Sequence, residues 1–173
     1  MTPVKVGLLG LGTVGGGTAT VLKRNAEEIA RRAGRGIVID YVSTSKSELP
    51  EGLGLSGSRI TRDPFDVVND PDIEIVVELY GGDEPAKSLV LQAIENGKHV
   101  VTANKALIAV HGNEIFEKAR EKGVIVAFEA AVAGGIPIIK SLREGLSANK
   151  INWLAGIING TGNFILSEMR DKG

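Results

Sequence analysis

A largely apolar run, Val4 to Leu9, breaks at once into Gly10-Leu11-Gly12-Thr13-Val14-Gly15. This is G-x-G-x-x-G set between a predicted strand and a predicted helix, the setting in which the pattern carries a mechanism. Gly10 permits the tight turn out of the strand, and Gly12 leaves room for a dinucleotide pyrophosphate to approach the backbone. Gly15 permits close packing of helix on sheet. The helix beginning near Thr13 would offer the anion its unpaired N–H groups and the positive end of its dipole. The plainer alternative is a glycine-rich turn that binds nothing. The strand before the loop and the amphipathic helix behind it favour dinucleotide binding.

The rest of the chain is consistent with that start. Its 173 residues make one domain, or one domain and the beginning of another. A 43% apolar content supports a core, and no apolar segment has the ~18 residues of a membrane span. No charged-then-apolar leader is evident, so a cytoplasmic location and no membrane association are expected. Twenty basic residues against twenty-one acidic ones, a net charge of −1, give no electrostatic case for nucleic acid. The absence of cysteine excludes disulfides, thiolate catalysis and zinc–thiolate sites.

A helical stripe, Val14, Thr18, Leu22, Ala26, Ile29 and Ala33, predicts one helix from Thr13 to Ala33, stopped by Gly34. Ile37 to Val42 reads as a strand followed by Ser43-Thr44-Ser45-Lys46, where such a domain reads the adenosine ribose. A carboxylate there would accept from the 2′-hydroxyl of NAD, whereas cations and hydroxyls suit the 2′-phosphate of NADP. Asp40 falls two or three residues too early. Lys46 and the hydroxyls therefore lean toward NADP, with a solvated loop lysine and NAD as the alternative.

Glu48 to Ser58 reads as a loop, and Arg59 to Thr61 as a short strand. Asp63-Pro64 starts a helix through Val68. Strands are expected at Ile73 to Tyr80, His99 to Ala103 and Val124 to Phe128, with helices at Glu84 to Asn96 and Asn113 to Lys122. Strands alternating with helices imply an α/β fold of the Rossmann type, a doubly wound parallel sheet binding ligands beyond its carboxyl ends. Gly81-Gly82, Asn104-Lys105 and Glu129 all follow directly after predicted strands on that rim. Lys105 is the only charged residue between His99 and His111, and a lysine can donate to a carbonyl or hydroxyl oxygen. The two histidines, twelve apart, fit no metal spacing.

After Glu129 the sequence turns small and glycine-rich. A helix is expected from Ile136-Pro137 to Leu146, a strand from Ile151 to Ile158, and a helix from Phe164 to Arg170. One strand and two helices close no core, so residues 129–173 read as the start of an incomplete second α/β domain.

Several stretches, taken together, resemble the homoserine dehydrogenase family: 76–82 (VVELYGG), 102–107 (TANKAL), 129–137 (EAAVAGGIP) and 156–161 (GIINGT). The resemblance implies an NAD(P)-binding domain over residues 1–128, followed by the start of a substrate-binding and dimer-forming domain. It implies a nicotinamide-dependent oxidoreductase interconverting L-aspartate 4-semialdehyde and L-homoserine, on the way to threonine and methionine, and a homo-oligomer. Under that resemblance Gly10, Leu11, Gly12, Thr13, Val14 and Gly15, with Gly81 and Gly82, would hold the nucleotide. Lys105 would lie near the nicotinamide and the reacting oxygen. Glu129, with the carbonyls of Val132, Gly134 and Ile136, would surround a structural sodium ion. Gly160 and Thr161 would edge the substrate pocket. Family members continue well beyond this length, so the chain is expected to be an amino-terminal portion that binds cofactor without turning over alone. The alternative is a non-catalytic dinucleotide-binding sensor or regulatory module.

Overall fold

A computed structural model describes residues 2–157 and 160–172. Six parallel strands form one sheet in the order β3-β2-β1-β4-β5-β6. They are β1 (Val4–Leu9), β2 (Ile37–Ser43), β3 (Arg59–Thr61), β4 (Ile75–Glu78), β5 (His99–Thr102) and β6 (Val126–Ala127). The order reverses at β1, which pairs with β2 on one side and β4 on the other. That reversal opens a crevice at the carboxyl end of β1, where the glycine loop lies.

The helices divide between the two faces. Leu9, Val76 and Val100 join α3 (Pro64–Asn69), α4 (Ala86–Glu95) and α5 (Lys105–Lys122) in one buried cluster. Val6, Leu8, Val42 and Val77 pack on the opposite face beneath α1 (Thr13–Arg24). Asp63 caps α3 as its sequence announces, its carboxylate accepting from the Phe65 N–H at 2.9 Å with Pro64 in the first turn. At the amino-terminal rim Lys98 is buried, its Nζ donating to the Ile73 carbonyl at 2.9 Å. Burial pushes its ammonium below the ordinary lysine pKa.

The structure corrects several sequence expectations. The single helix over 13–33 is two, α1 and α2 (Ala26–Ala33), parted at Asn25 (φ −109°, ψ 21°). Asn tolerates the non-helical conformation that parts them, here without a side-chain cap bond. Val14 points outward, 56% exposed, while Gly15 and Ala19 are buried. The inner face is rotated because Gly15 presses on the loop: a Cβ there would lie 2.1 Å from the Gly10 carbonyl oxygen.

The helix expected from Asn113 begins at Lys105, because Asn104 caps it by accepting from the Leu107 N–H at 3.1 Å. Strand β4 is shorter than the apolar run around it. The expected helix over 136–146 is a short turn, α6 (Ile138–Lys140), passing into a wider π turn at Ser141–Gly145.

The expected strand at Ile151 to Ile158 is not found among the described residues 151–157, and Ile158 lies outside them. A strand needs a neighbour to complete its hydrogen bonds, and none is offered to this segment among the described residues. Its side chains are open to solvent, Trp153 at 80% and Ile157 at 84%. The last helix, α7, is longer than expected, Gly160–Lys172, and none of its described residues is buried.

Candidate functional site

At the end of β1 the chain turns through Gly10, whose φ of +99° favours glycine. Helix α1 follows with Gly12 as its N-cap and no side-chain cap. Its first described intrahelical bond runs from the Gly16 N–H to the Gly12 carbonyl at 2.9 Å. The N–H groups of Thr13, Val14 and Gly15 therefore have no partner among the described residues and sit at the positive end of a 12-residue helix. A Cβ at Gly12 would meet nothing within 4 Å, so the loop faces open space. Free donors beside open space suit a pyrophosphate.

The loop forms one wall of an open cleft of about 630 Å³, with Thr44, Ser45 and Lys46 on a second wall and Leu79 and Tyr80 on a third. Tyr80 reaches across the end of β1 to the Ser43 hydroxyl, 2.7 Å away, so Ser43 is already engaged at the ribose-reading position. Asp40 is engaged as well, paired with Arg59 at 2.6 Å. The cations of the cleft are Lys46 and Arg62, neither in an ion pair among the described residues, and no carboxylate lines it. Sequence reasoning missed Arg62. It follows β3, and only the sheet order that sets β3 beside β2 brings it next to Lys46.

The second part of the site spans β4 and β5, where Glu78 and Thr102 are register partners. Glu78 is fully buried, although burying a carboxyl costs on the order of several kcal/mol unless its oxygens find donors. It finds three: the Tyr80 N–H at 2.8 Å, the Gly81 N–H at 3.3 Å and the Thr102 hydroxyl at 2.6 Å. The Thr102 oxygen accepts from the Asn104 N–H at 3.0 Å, and the Asn104 amide donates to the Gly82 carbonyl at 2.6 Å. Gly81 and Gly82, at φ +73° and +74°, are thereby tied to the start of α5. Lys105, the first residue of α5, is exposed. A lysine there sits where the helix dipole favours anions, a placement that folding alone does not explain.

Gly81, Gly82 and Lys105 do not themselves line the cleft, and the remaining sequence-predicted residues lie apart from it. Glu129 follows β6 in a 3₁₀ turn, and its carboxylate accepts from the Ile139 and Lys140 N–H groups at 2.9 and 2.8 Å, capping α6. Val132, Gly134 and Ile136 follow in a turn containing Ala133 at φ 48°. Gly160 and Thr161 open α7 and are not among the residues lining the cleft. Asn159, adjacent to them in the predicted motif, is outside the described residues.

Sheet order, uncapped glycine loop and cleft together define a dinucleotide-binding domain of the Rossmann type. The chain belongs to the homoserine dehydrogenase family: residues 10–129 match the model for its NAD binding domain, and residues 137–173 match a second homoserine dehydrogenase model. Across all 173 residues it is 72% identical to the homoserine dehydrogenase of Pseudomonas aeruginosa and 61% identical to that of Neisseria gonorrhoeae. It spans 39% and 40% of those two proteins. The crystal structure of a homoserine dehydrogenase from Thiobacillus denitrificans is similar over 99% of this chain and 39% of that one, with a TM-score of 0.91 and 69% identity. No helix among the described residues is long and apolar enough to cross a membrane.

Proposed function

We propose that this chain supplies the cofactor-binding part of an enzyme that interconverts L-aspartate 4-semialdehyde and L-homoserine, in the cytoplasm, on the route to threonine and methionine. One observation carries the reading: the glycine loop, the Gly81-Gly82 turn and Lys105 follow adjacent strands β1, β4 and β5 on one rim. In this reading the N–H groups of Thr13, Val14 and Gly15 bind the pyrophosphate. The adenosine half lies toward Lys46, and the nicotinamide half runs along Gly81-Gly82 toward Lys105. A bound nicotinamide supplies or accepts the hydride. Lys105 donates to the substrate's carbonyl oxygen and stabilises the charge that develops there, or in the reverse direction helps to take the hydroxyl proton.

Residues 1–128 form the nucleotide domain in this account, and 129–173 lead into the substrate-binding part. The two buried clusters extend no further than Val126, which supports that boundary. Gly160 and Thr161 would edge the substrate pocket. The apolar side chains exposed around Trp153, Leu154 and Phe164 would join the substrate-binding, dimer-forming part. A structural sodium ion would draw on Glu129 and the carbonyls of Val132, Gly134 and Ile136. Each Glu129 oxygen accepts one N–H, and a carboxylate oxygen has capacity for a second ligand.

The test joins residues 1–173 to the remaining part of the Pseudomonas aeruginosa relative and measures nicotinamide-dependent reduction of aspartate 4-semialdehyde. Turnover is expected, and a folded, cofactor-binding chimaera with no turnover would contradict the assignment.

Cofactor choice follows from the cations at the ribose end. NADP is expected to bind at least as well as NAD, because among the described residues Lys46 and Arg62 are in no ion pair and no carboxylate lines the cleft. Lys46→Ala and Arg62→Ala should each weaken NADP by about tenfold, the size of a lost charge-assisted hydrogen bond, and leave NAD nearly unchanged. A strong NAD preference in calorimetry, or unaltered NADP affinity in both variants, would refute this choice.

A further inference from the structure

Apart from Lys98, the buried polar side chains among the described residues are Ser43, Thr44, Glu78, Thr102 and Asn104, all at the carboxyl ends of β2, β4 and β5. Three of these form a connected path. The Glu78 carboxyl accepts from the Thr102 hydroxyl, the Thr102 oxygen accepts from the Asn104 N–H, and the Asn104 side-chain amide donates to the Gly82 carbonyl. Glu78 also holds the Tyr80 and Gly81 N–H groups, so the path closes on itself through the 80–82 turn. No described ion pair involves Glu78. Its carboxyl is spent on orienting backbone, not on balancing a charge.

We propose that Glu78 is a positioning residue: through Thr102 and Asn104 it locks the Gly81-Gly82 turn to the start of α5 and so sets the nicotinamide half of the nucleotide site. This rests on the reading that the nicotinamide half lies along Gly81-Gly82 and Lys105. The order of donors matters to it. A carboxylate opposite the Thr102 hydroxyl offers acceptors alone, so that hydroxyl must donate to Glu78 and its oxygen is left to accept from Asn104. An amide at position 78 can turn its NH₂ toward Thr102, leaving that hydroxyl proton without an acceptor and loosening the path. The ribose-reading end touches this path only through Tyr80, whose N–H Glu78 holds and whose hydroxyl meets Ser43, while Thr44 to Lys46 and Arg62 share no bond with Thr102 or Asn104. Disturbing the path should therefore affect one half of the nucleotide and spare the other.

The experiment compares two probes on the 173-residue chain by calorimetry, NADPH and adenosine 2′,5′-bisphosphate, which lacks the nicotinamide half. Thr102→Val keeps the side-chain shape and deletes the hydroxyl, whereas Thr102→Ser keeps the hydroxyl and deletes a methyl. Thr102→Val and Glu78→Gln are each expected to weaken NADPH about tenfold, the loss of one buried charge-assisted bond, with the bisphosphate unchanged. Thr102→Ser should bind NADPH nearly as the unaltered chain does. The double variant should be little weaker than either single one, because both cut the same path.

A packing role would give another result, with Ser no better than Val and both probes weakened alongside a lowered thermal midpoint. That outcome would overturn the proposal, as would NADPH binding unchanged in Thr102→Val and Glu78→Gln. Should either variant fail to fold, Thr102→Ser and the remaining single variant still decide it. Failure of the unaltered chain to bind either probe would refute nucleotide binding itself, and the positioning role with it.

Discussion

Lys105→Ala, made in the chimaera with the Pseudomonas aeruginosa relative, is expected to lower kcat roughly a hundredfold or more, the size of losing an acid–base or oxyanion-stabilising group. The thermal midpoint should hardly move. Lys105 is exposed at the first position of α5, and Asn104, not Lys105, caps that helix. Its removal takes away a cation from a helix end that favours anions, so stability should change by no more than ~0.5 kcal/mol, and not necessarily downward. A merely solvated lysine would leave kcat near normal. A lysine that packs would lower stability and activity together. The chemical role requires the third pattern, a large fall in kcat at constant stability, and near-normal turnover would end the assignment.

Gly12→Val is expected to abolish measurable NADPH binding while the chain stays folded. The two effects separate because of where the added atoms go. A Cβ at Gly12 meets nothing within 4 Å, and the backbone there, at φ −81°, suits any side chain. The branched side chain then occupies the space that the pyrophosphate needs beside the N–H groups of α1. Gly15 provides the contrast. A Cβ there would stand 2.1 Å from the Gly10 carbonyl oxygen, backbone that cannot swing aside. Gly15→Ala should therefore cost about 1–3 kcal/mol by overpacking, seen as a lowered thermal midpoint. Two glycines of one motif would thus fail differently, Gly12 in calorimetry and Gly15 in thermal unfolding. Binding retained in Gly12→Val would remove the glycine loop from the site.

The parallel sheet and the glycine loop could be read in the sequence because short apolar strands and glycine turns are local signals. Helix boundaries were less legible where two local signals competed. From Ala106 to Val110 the residues are apolar on every side, so no stripe marks a helix, yet Asn104 was available as a cap three residues before Leu107. At Asn25 the stripe continues through a real break, since periodicity does not register one residue leaving helical geometry. At Val14 the stripe pointed the wrong way, because the close approach of Gly15 to Gly10 sets how α1 rotates on the sheet.

The candidate site divides the same way. Its glycine loop, Gly81-Gly82 and Lys105 stand directly after strands, a placement that local sequence marks. Arg62 joins Lys46 only through strand order, and the partners of Glu78 depend on the register that pairs it with Thr102. Neither relation is written in local sequence. The apolar segment 151–157 had the composition of a strand but no neighbouring strand to pair with among the described residues.

Amide chemical-shift mapping of the 173-residue chain titrated with NADPH tests the central claim most directly. Saturable shifts are expected at Gly10 to Gly15, at Thr44 to Lys46 with Arg62, and at Gly81-Gly82, tracing the nucleotide across the carboxyl ends of β2, β1 and β4. The groove between α4 and α5, where Glu95, Glu114, Glu117 and Glu121 outnumber Lys118, should stay silent because its net negative charge repels phosphate. Shifts centred away from the glycine loop, or none that saturate, would contradict the account.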